Sequence, residues 1–347
     1  MNQQAVPAQS SAGHARSEAP LLEVRDLAVE FRSRDRAVHA VNGVSWALRR
    51  GDTLAILGES GSGKSVTAHA IMGTLPAATA KVTAGEVWFD GRNLLKLPDR
   101  ERRRVRGRRI GIIFQDSLSA LNPVFTVANQ IGEMFRFHAG MPKRQAERAA
   151  VELMDRVGIP DARRRAKAYP HEFSGGMRQR IMIAMALALQ PDVLIADEPT
   201  TALDVTVQAQ IMDLLRQLQG EIGLALVLIT HDLGVVADMA DRIIVMYAGR
   251  TVEESPVQDL YRSPAHPYTV GLLRSVPRLD RPEEELCPIS GAPPDMTVLA
   301  KGCPFRPRCE WAKPICDEER PSLRTAGLGR VSACHFAEAV LESAEDA

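Results

Sequence analysis

The sequence has no net charge, no apolar run long enough to cross a bilayer, and no cysteine before residue 287. Lys plus Arg and Asp plus Glu both number 43, so overall charge does not favour binding to nucleic acid or anionic lipid. The longest apolar run, residues 181–189, is far shorter than the ~20 residues that a membrane-spanning helix needs. Residues 1–20 lack the hydrophobic stretch of a secretory signal, and we expect a disordered tail there. The chain is therefore expected to be cytosolic, or bound to a membrane only through a partner.

Short apolar runs rich in Val, Ile and Leu recur between residues 53 and 247. They are continuous rather than alternating, which is typical of parallel strands that are buried on both faces. Segments of helical composition, 178–189 and 208–219, lie between them, and this alternation predicts an α/β fold with a mainly parallel, helix-covered sheet. The predicted strands are Thr53–Leu57, Ile110–Phe114, Val193–Ala196, Leu224–Ile229 and Ile243–Tyr247.

Two regions depart from this alternation. Residues 118–176 are mostly helix-like, with 144–157 the clearest case, and are predicted to form a helical insertion within an α/β domain at 21–255. Beyond about residue 255, proline becomes frequent and strand signals vanish. We therefore predict a small loop-rich extension at residues 256–337 and a tail at residues 338–347.

A loop at residues 58–65 matches the pattern G-x-x-x-x-G-K-[ST] and follows the first predicted strand. Glycines in such a loop let successive backbone N–H groups turn toward phosphate oxygens, and the next helix adds the positive end of its dipole. Lys64 is expected to contact the β- and γ-phosphates of ATP, and the Ser65 hydroxyl to ligate Mg²⁺. The predicted phosphate loop consists of Gly58, Glu59, Ser60, Gly61, Ser62, Gly63, Lys64 and Ser65.

A second half of this site is predicted where Asp197 and Glu198 follow the apolar strand 193–196, the arrangement of a Walker B segment. Asp197 is expected to hold Mg²⁺ through water, and Glu198 is placed to polarise the attacking water as general base. Alone, a strand that ends in two carboxylates is commonly a solvated turn. The phosphate loop in the same chain favours the nucleotide site.

A third motif, Phe173-Ser-Gly-Gly-Met177, precedes the Walker B strand. Ser174 is suited to cap the apolar helix that follows, which leaves free N–H groups that can bind an anion. The chain already has its own phosphate loop. We therefore expect Ser174, Gly175 and Gly176 to complete the nucleotide pocket of a partner subunit.

These motifs closely resemble those of the ATP-binding cassette (ABC) family over roughly residues 21–255. In chain order they are Walker A (58–65), the Q-loop Gln115, the signature (173–177), Walker B (193–198), the D-loop (201–204) and the switch His231. The resemblance implies that Gln115 contacts Mg²⁺ and the attacking water, that His231 contacts the γ-phosphate, and that Phe31 stacks on adenine. It also implies a P-loop NTPase fold with an antiparallel β edge and a helical subdomain, and two cassettes that close head-to-tail over two ATP molecules.

With one cassette and no membrane-spanning segment, the chain is similar to the separate ATPase subunits of bacterial importers, most closely the oligopeptide/dipeptide group. The residues that carry this similarity are 114–116 with 121–123, 202–210, 264–269 and 302–305. It implies a peripheral subunit at the cytoplasmic face of the inner membrane. The implied partners are a second, related but non-identical cassette, two permease subunits that dock on residues 118–138, and an extracytoplasmic solute-binding protein.

Other functions remain open from sequence. The same ATPase could drive uptake of nickel, an opine or another small solute, because the membrane subunits and the binding protein select the cargo. A soluble ABC protein acting on nucleic acid or the ribosome usually has two cassettes or a long coiled-coil insertion. The sequence has neither, so no nucleic-acid partner is expected.

The extension carries Cys303, Cys309, Cys316 and Cys334, separated by five, six and seventeen residues. Four thiolates in a loop-rich segment could bind a [4Fe–4S] cluster or Zn²⁺, and either would staple a region too small for its own core. Some peptide-importer subunits carry a [4Fe–4S] cluster at matching cysteines. The alternatives are zinc, with His335 able to substitute as a ligand, or four reduced thiols that pack as small hydrophobes. Cys287 lies outside the spacing and is expected to be free.

Overall fold

The structure, a computed structural model, describes residues 19–33, 36–201, 203–275 and 288–345. Residues 1–18 of the predicted tail and Cys287 lie outside the described residues. The strands are β1 (Leu22–Arg32), β2 (Ala37–Leu48), β3 (Thr53–Leu57), β4 (Ala80–Phe89), β5 (Arg92–Asn93), β6 (Ile110–Ile113), β7 (Val193–Asp197), β8 (Ala225–Ile229), β9 (Arg242–Tyr247), β10 (Arg250–Pro256), β11 (Arg324–Thr325) and β12 (Val331–Ser332). The helices are α1 (Lys64–Met72), α2 (Asp99–Val105), α3 (Ser117–Ala120), α4 (Val127–Ala139), α5 (Lys143–Arg156), α6 (Ala162–Arg165), α7 (Gly175–Leu187), α8 (Val205–Ile222), α9 (Leu233–Met239), α10 (Val257–Arg262), α11 (Pro267–Arg274), α12 (Ile315–Glu318) and α13 (Ala337–Glu345).

The larger sheet has the strand order β11-β12-β10-β9-β3-β8-β7-β6. Its strands β9, β3, β8, β7 and β6 are parallel neighbours. Alternate residues of β7 enter two different cores, since Leu194 packs in one hydrophobic cluster and Val193 and Ile195 pack in another. Every residue of β3, β7 and β8 is consequently buried. The parallel sheet predicted from continuous apolar runs is confirmed.

A second sheet is antiparallel and has the order β2-β1-β4-β5. The prediction placed antiparallel strands at an edge; β10, β12 and β11 do extend the larger sheet in this way, whereas β1, β2, β4 and β5 form a sheet of their own. Leu22, Val29 and Trp46 of this sheet share a hydrophobic cluster with Ile71 of α1. The second sheet therefore packs against α1, the helix that follows the phosphate loop.

The helical insertion follows β6 and contains α3, α4, α5 and α6 before α7 begins at Gly175. Val127, Ile131 and Met154 are fully buried against one another and against the core of α7 and α8. The loop before α4 is held by Gln130, whose amide nitrogen donates to the carbonyls of Asn122 and Phe125 at 2.9 Å. This buried amide gives the loop at residues 121–126 a defined shape.

The C-terminal segment differs from its prediction at two places. The short strands β11 and β12 lie beside β10 and extend the larger sheet, although strand signals vanish from the sequence beyond residue 255. Each has only two residues, too few to show a period-2 pattern. The predicted tail at 338–347 is also wrong, because α13 begins at Ala337 and buries Val340 completely. Apolar residues at Ala337, Val340 and Leu341 have helical spacing and pack onto the extension.

A buried carboxyl group joins β10 to the extension. Glu253 is fully buried, accepts the backbone N–H of Ala265 at 2.7 Å, and burial raises its pKa from 4.5 to about 7. The folded state therefore holds this proton more tightly than the unfolded state does. The stability that the proton contributes is fully present below pH 4.5 and is lost as the pH rises through about 7.

Glu253→Gln should remove this pH dependence, because the amide does not ionise. The parent chain should lose stability between pH 5 and pH 8, whereas the variant should not. We therefore expect the free energy of unfolding of the variant, relative to that of the parent, to be higher at pH 8 than at pH 5 by about 2 kcal/mol. Urea titrations at both pH values measure this change, and the exposed Glu152→Gln provides the matched control. An identical pH response in Glu253→Gln and the parent would contradict the assignment.

Candidate functional site: a nucleotide pocket at the strand ends

The phosphate loop connects the end of β3 to the start of α1, in the strand–loop–helix order predicted for it. Its glycines are required by close backbone contacts. A Cβ atom on Gly58 would lie 2.3 Å from the Met246 carbonyl oxygen, and one on Gly63 would lie 2.4 Å from the Ala40 carbonyl oxygen. Both glycines also have positive φ angles, 150° and 101°. The loop can therefore be built only with glycine at these two positions.

Lys64 lies across the phosphate loop and is buried. Its Nζ donates to the carbonyl oxygens of Gly58 at 2.7 Å and Glu59 at 3.0 Å. Burial lowers the pKa of Lys64, whereas the nearby carboxylates of Glu198, Asp197 and Glu59 act in the opposite direction. The ammonium group is thus surrounded by oxygen atoms, as a group that contacts phosphates should be.

Two of the three residues predicted to contact Mg²⁺, Ser65 and Asp197, lie in direct contact. The Ser65 hydroxyl donates to Oδ1 of Asp197 at 2.9 Å, which joins the start of α1 to the end of β7. Asp197 is buried, and this burial raises its pKa, with the hydrogen bond from Ser65 acting against the increase. A hydroxyl and a carboxylate are the hard oxygen ligands that Mg²⁺ prefers, so the pair fits this ion.

Glu198 is the centre of a polar group made from the ends of three neighbouring strands. Its Oε2 accepts hydrogen bonds from Nε2 of Gln115 and from the hydroxyl of Thr201, both at 2.8 Å. Its Oε1 lies 3.6 Å from Nδ1 of His231. Gln115 follows β6, Glu198 follows β7 and His231 follows β8, and the carboxyl ends of adjacent parallel strands meet at one edge. The positive φ of Glu198, 45°, is the kind of backbone strain that clusters at active sites.

The signature segment lies at the start of α7. Ser174 is the N-cap residue, as expected, and its hydroxyl accepts the N–H of Met177 at 3.4 Å. Gly176 packs so closely on α8 that a Cβ atom would lie 2.6 Å from Val207. Within the described parts of the chain, no hydrogen bond joins residues 174–176 to the phosphate loop. In the described residues the motif is therefore not hydrogen-bonded to the phosphate loop of its own chain, and Gly175 lies beside the Leu203 side chain.

Phe31 lies near the end of β1, where it pairs with Val38 of β2 and is partly buried against the core. Two residues further along β2, the Ala40 carbonyl contacts the phosphate loop at Gly63. Phe31 is thus on the strand pair that flanks the loop. Adenine stacking by Phe31 stays a prediction.

The four cysteines of the extension line one cavity together with His266, Trp311 and His335, although Cys334 is far from the others in sequence. All four are free thiols, and Cys316 and Cys334 are buried. Burial raises the pKa of Cys309 to about 11 and that of Cys334 to about 12, and it also raises the pKa of Cys303. Among the described residues, no group of three or more His, Cys, Asp or Glu side chains has the arrangement needed to hold a metal ion.

Three contacts of the nucleotide pocket escaped the sequence patterns. Thr201 was assigned only to the D-loop, yet its hydroxyl donates to Glu198. Tyr268 and Arg308 of the C-terminal segment both contact Glu59, across 209 and 249 residues of sequence. No local pattern can indicate pairs so distant in the chain.

The site and fold are those of an ATPase of the ABC class. The Ser65 hydroxyl bonds Asp197, and Glu198 lies between Gln115 and His231. The signature motif caps a separate helix. Two family models match the chain: "ABC transporter" at residues 41–201 and "Oligopeptide/dipeptide transporter, C-terminal region" at residues 252–316. The second match covers most of the cysteine-bearing extension.

The chain belongs to the family of oligopeptide/dipeptide transport ATP-binding proteins. It is 53% identical to the oligopeptide transport ATP-binding protein OppD of Salmonella typhimurium, over 90% of this chain and 93% of OppD. It is 52% identical to the dipeptide transport ATP-binding protein DppD of Bacillus subtilis, over 87% of this chain and 90% of DppD.

Solved structures with a similar fold include a dimeric ATP-binding cassette in a post-hydrolysis state bound to ADP and Pi. It is 31% identical, with a TM-score of 0.61, and the match covers 68% of this chain and 98% of that cassette. The cbiO1 cassette of Clostridium perfringens is 29% identical, with a TM-score of 0.58 and coverage of 70% and 91%. In the described part of this chain, no helix combines the length and apolarity needed to span a bilayer.

Proposed function

We propose that this protein binds and hydrolyses ATP as a subunit of a membrane importer for dipeptides or oligopeptides. The ATPase part rests on one observation, the junction of Ser65 with Asp197 beside the hydrogen-bonded Glu198. The cargo rests on similarity to OppD and DppD, whose names state oligopeptide and dipeptide transport.

In the proposed reaction, water attacks the γ-phosphorus of ATP and the products are ADP and inorganic phosphate. Glu198 accepts the proton of the attacking water, Lys64 contacts the β- and γ-phosphates, and His231 contacts the γ-phosphate. Ser65, Asp197 and Gln115 would hold Mg²⁺, which supplies charge neutralisation on the phosphates. Gln115 and Thr201 orient Glu198 through their hydrogen bonds to Oε2.

A second cassette completes each nucleotide pocket in this proposal. The N-terminus of α7, with Ser174, Gly175 and Gly176, would bind the γ-phosphate held by the partner's phosphate loop. The absence of a hydrogen bond between this motif and residues 58–65 of the described chain supports the proposal. Because the importer group usually combines two different cassettes, we propose a related, non-identical partner.

Uptake measurements test the cargo. Deleting the gene in the organism that encodes it should abolish uptake of labelled dipeptides or oligopeptides, and a plasmid copy should restore it. Retained peptide uptake with loss of nickel or opine uptake would transfer the proposal to that solute. Unchanged uptake of all of them would contradict the importer function.

The helical insertion is the proposed docking site for two permease subunits, which would place the protein at the cytoplasmic face of the inner membrane. An extracytoplasmic solute-binding protein would deliver the peptide to the permeases. Leu118, Val124 and Phe125 are exposed by 60%, 70% and 47%, although they are large and apolar. They lie on α3 and on the loop that Gln130 holds in shape. A group of rigidly presented apolar side chains is typical of an interaction surface.

Replacing Leu118 and Phe125 together by Ser should reduce copurification with the permeases by about tenfold or more, because apolar contacts at the centre of an interface are lost. ATP binding by the purified subunit should not change. Leu328→Ser, which alters a side chain that is 99% exposed on the extension, is the matched control. Full copurification of the double variant would place the docking site elsewhere.

For the extension we propose a [4Fe–4S] cluster held by Cys303, Cys309, Cys316 and Cys334. The fit rests on four thiols that line one cavity. Among the described residues no group has the arrangement that a metal ion needs, so the proposal rests on the shared cavity and on the cysteine spacing. In a four-iron cluster each thiolate would bond a different iron. Its role would be to staple the extension.

Anaerobically purified protein should show a broad absorbance near roughly 400 nm and about four iron atoms per chain. Cys309→Ser should reduce both signals, because one ligand is removed, whereas Cys287→Ser should leave them unchanged. Colourless protein without iron would refute the cluster. Stoichiometric zinc in place of iron would favour the zinc alternative.

A further inference from the structure

Every polar group of Glu59, the second residue of the phosphate loop, has a protein partner. Its N–H donates to the phenol oxygen of Tyr268 at 2.8 Å, and its carbonyl accepts from Lys64 at 3.0 Å. Its carboxylate forms a two-pronged ion pair with Arg308, with N–O distances of 2.7 Å and 2.9 Å. Two of these three partners come from the C-terminal segment and not from the cassette that contains the loop.

The Arg308 side chain is fixed by burial and by further contacts besides Glu59. It is only 4% exposed, and its Nε donates to the Ser290 carbonyl at 2.9 Å. Its guanidinium carbon lies 5.9 Å from the centre of the Tyr247 ring. Arg308 ends a short 3-10 turn at Arg306–Arg308 that packs beside the cysteine-lined cavity. In a half-buried ion pair with two hydrogen bonds, both groups have fixed positions. Removal of one partner leaves an unpaired charge, which is costly.

The carboxylate of Glu59 belongs to the predicted phosphate loop and lies close enough to Lys64 to act on its charge. Its negative charge acts on Lys64, whose Nζ also contacts the Glu59 carbonyl. An unpaired carboxylate at this place would repel the phosphates of ATP. Arg308 cancels that charge, so the C-terminal segment makes the loop more favourable for an anion.

We propose that Arg308 is a positioning residue of the ATP site, which holds the Glu59 carboxylate and neutralises its charge beside the phosphate loop. Tyr268 supports the same residue from its backbone side. The inference rests on the proposed ATP binding by residues 58–65 but is independent of the cargo and of the cysteine cluster. It makes the C-terminal extension part of the nucleotide pocket.

Titration of ATP into the purified full-length chain tests this inference. Arg308→Gln should weaken ATP binding by about tenfold or more, because it leaves the Glu59 charge uncompensated beside the phosphates. The effect should be larger for ATP than for ADP, which carries less charge. Adding Glu59→Gln to Arg308→Gln should restore the affinity to within about threefold of the parent. Arg324→Gln, which breaks the exposed pair with Glu338 elsewhere in the extension, should change nothing.

A purely structural role of Arg308 gives different results. The double variant would then bind ATP as weakly as Arg308→Gln, and ADP would be affected as strongly as ATP. Either of these two results would overturn the inference, provided that the single and double variants unfold at the same temperature. ATP binding by Arg308→Gln as tight as that of the parent would also overturn it. Absence of ATP binding in the parent chain itself would overturn the proposed function instead.

Discussion

Glu198→Gln should remove most steady-state ATP hydrolysis while ATP binding is retained. The amide keeps the size of the side chain but cannot accept a proton from the attacking water, and general-base catalysis contributes about 10²–10⁴-fold to rate. The carboxylate is the common partner of Gln115, Thr201 and His231, so no second carboxylate in that group can take its place. We also expect the variant to accumulate as an ATP-bound pair of cassettes.

The measurement is phosphate release by the subunit assembled with its partner cassette, with nucleotide binding determined on the same preparation. Glu152→Gln is the matched control, since Glu152 is an exposed carboxylate on α5. If Glu198→Gln retained turnover within a few-fold of the parent protein, another group would have to be the base.

Lys64→Ala should have its largest effect on binding. The substitution removes a buried ammonium group of the predicted phosphate loop, whose Nζ lies 2.7 Å from the carbonyl of Gly58. Charge-assisted hydrogen bonds contribute about 1.5–3 kcal/mol each, which corresponds to a loss of affinity of about 10- to 100-fold. Equilibrium titration with ATP in the absence of Mg²⁺ measures this step without hydrolysis.

The control for this experiment is Lys96→Ala, because the exposed Lys96 pairs with Glu86 far from the phosphate loop. Unchanged affinity in Lys64→Ala would mean that the loop does not hold the phosphates. The two substitutions also separate two steps of the reaction, since Glu198→Gln should lower turnover at constant affinity and Lys64→Ala should lower affinity.

Much of the site follows from short stretches of sequence. The phosphate loop is recognisable because glycine spacing, the preceding apolar strand and the following helix all lie within about 20 contiguous residues. Asp197 and Glu198 are recognisable for the same reason, as polar residues at the end of an apolar strand. The buried parallel strands were also predictable, since a strand covered on both faces must be apolar throughout.

Other features depend on which segments the fold brings together. The sheet order places β6, β7 and β8 side by side, and only this order makes Gln115, Glu198 and His231 neighbours. The strands β11 and β12 and the helix α13 acquire their structure from packing against β10 and the extension. Segments so short have weak intrinsic preferences, which tertiary contacts easily override.

The sequence by itself therefore determined the predicted chemistry of the nucleotide loop, the parallel core and the class of the protein. Each of these features depends on residues that are close together in the sequence. Only the tertiary structure decided that Arg308 and Tyr268 support Glu59. The physical reason is that a contact between residues hundreds of positions apart depends on the path of the whole chain. No local spacing or propensity records that path.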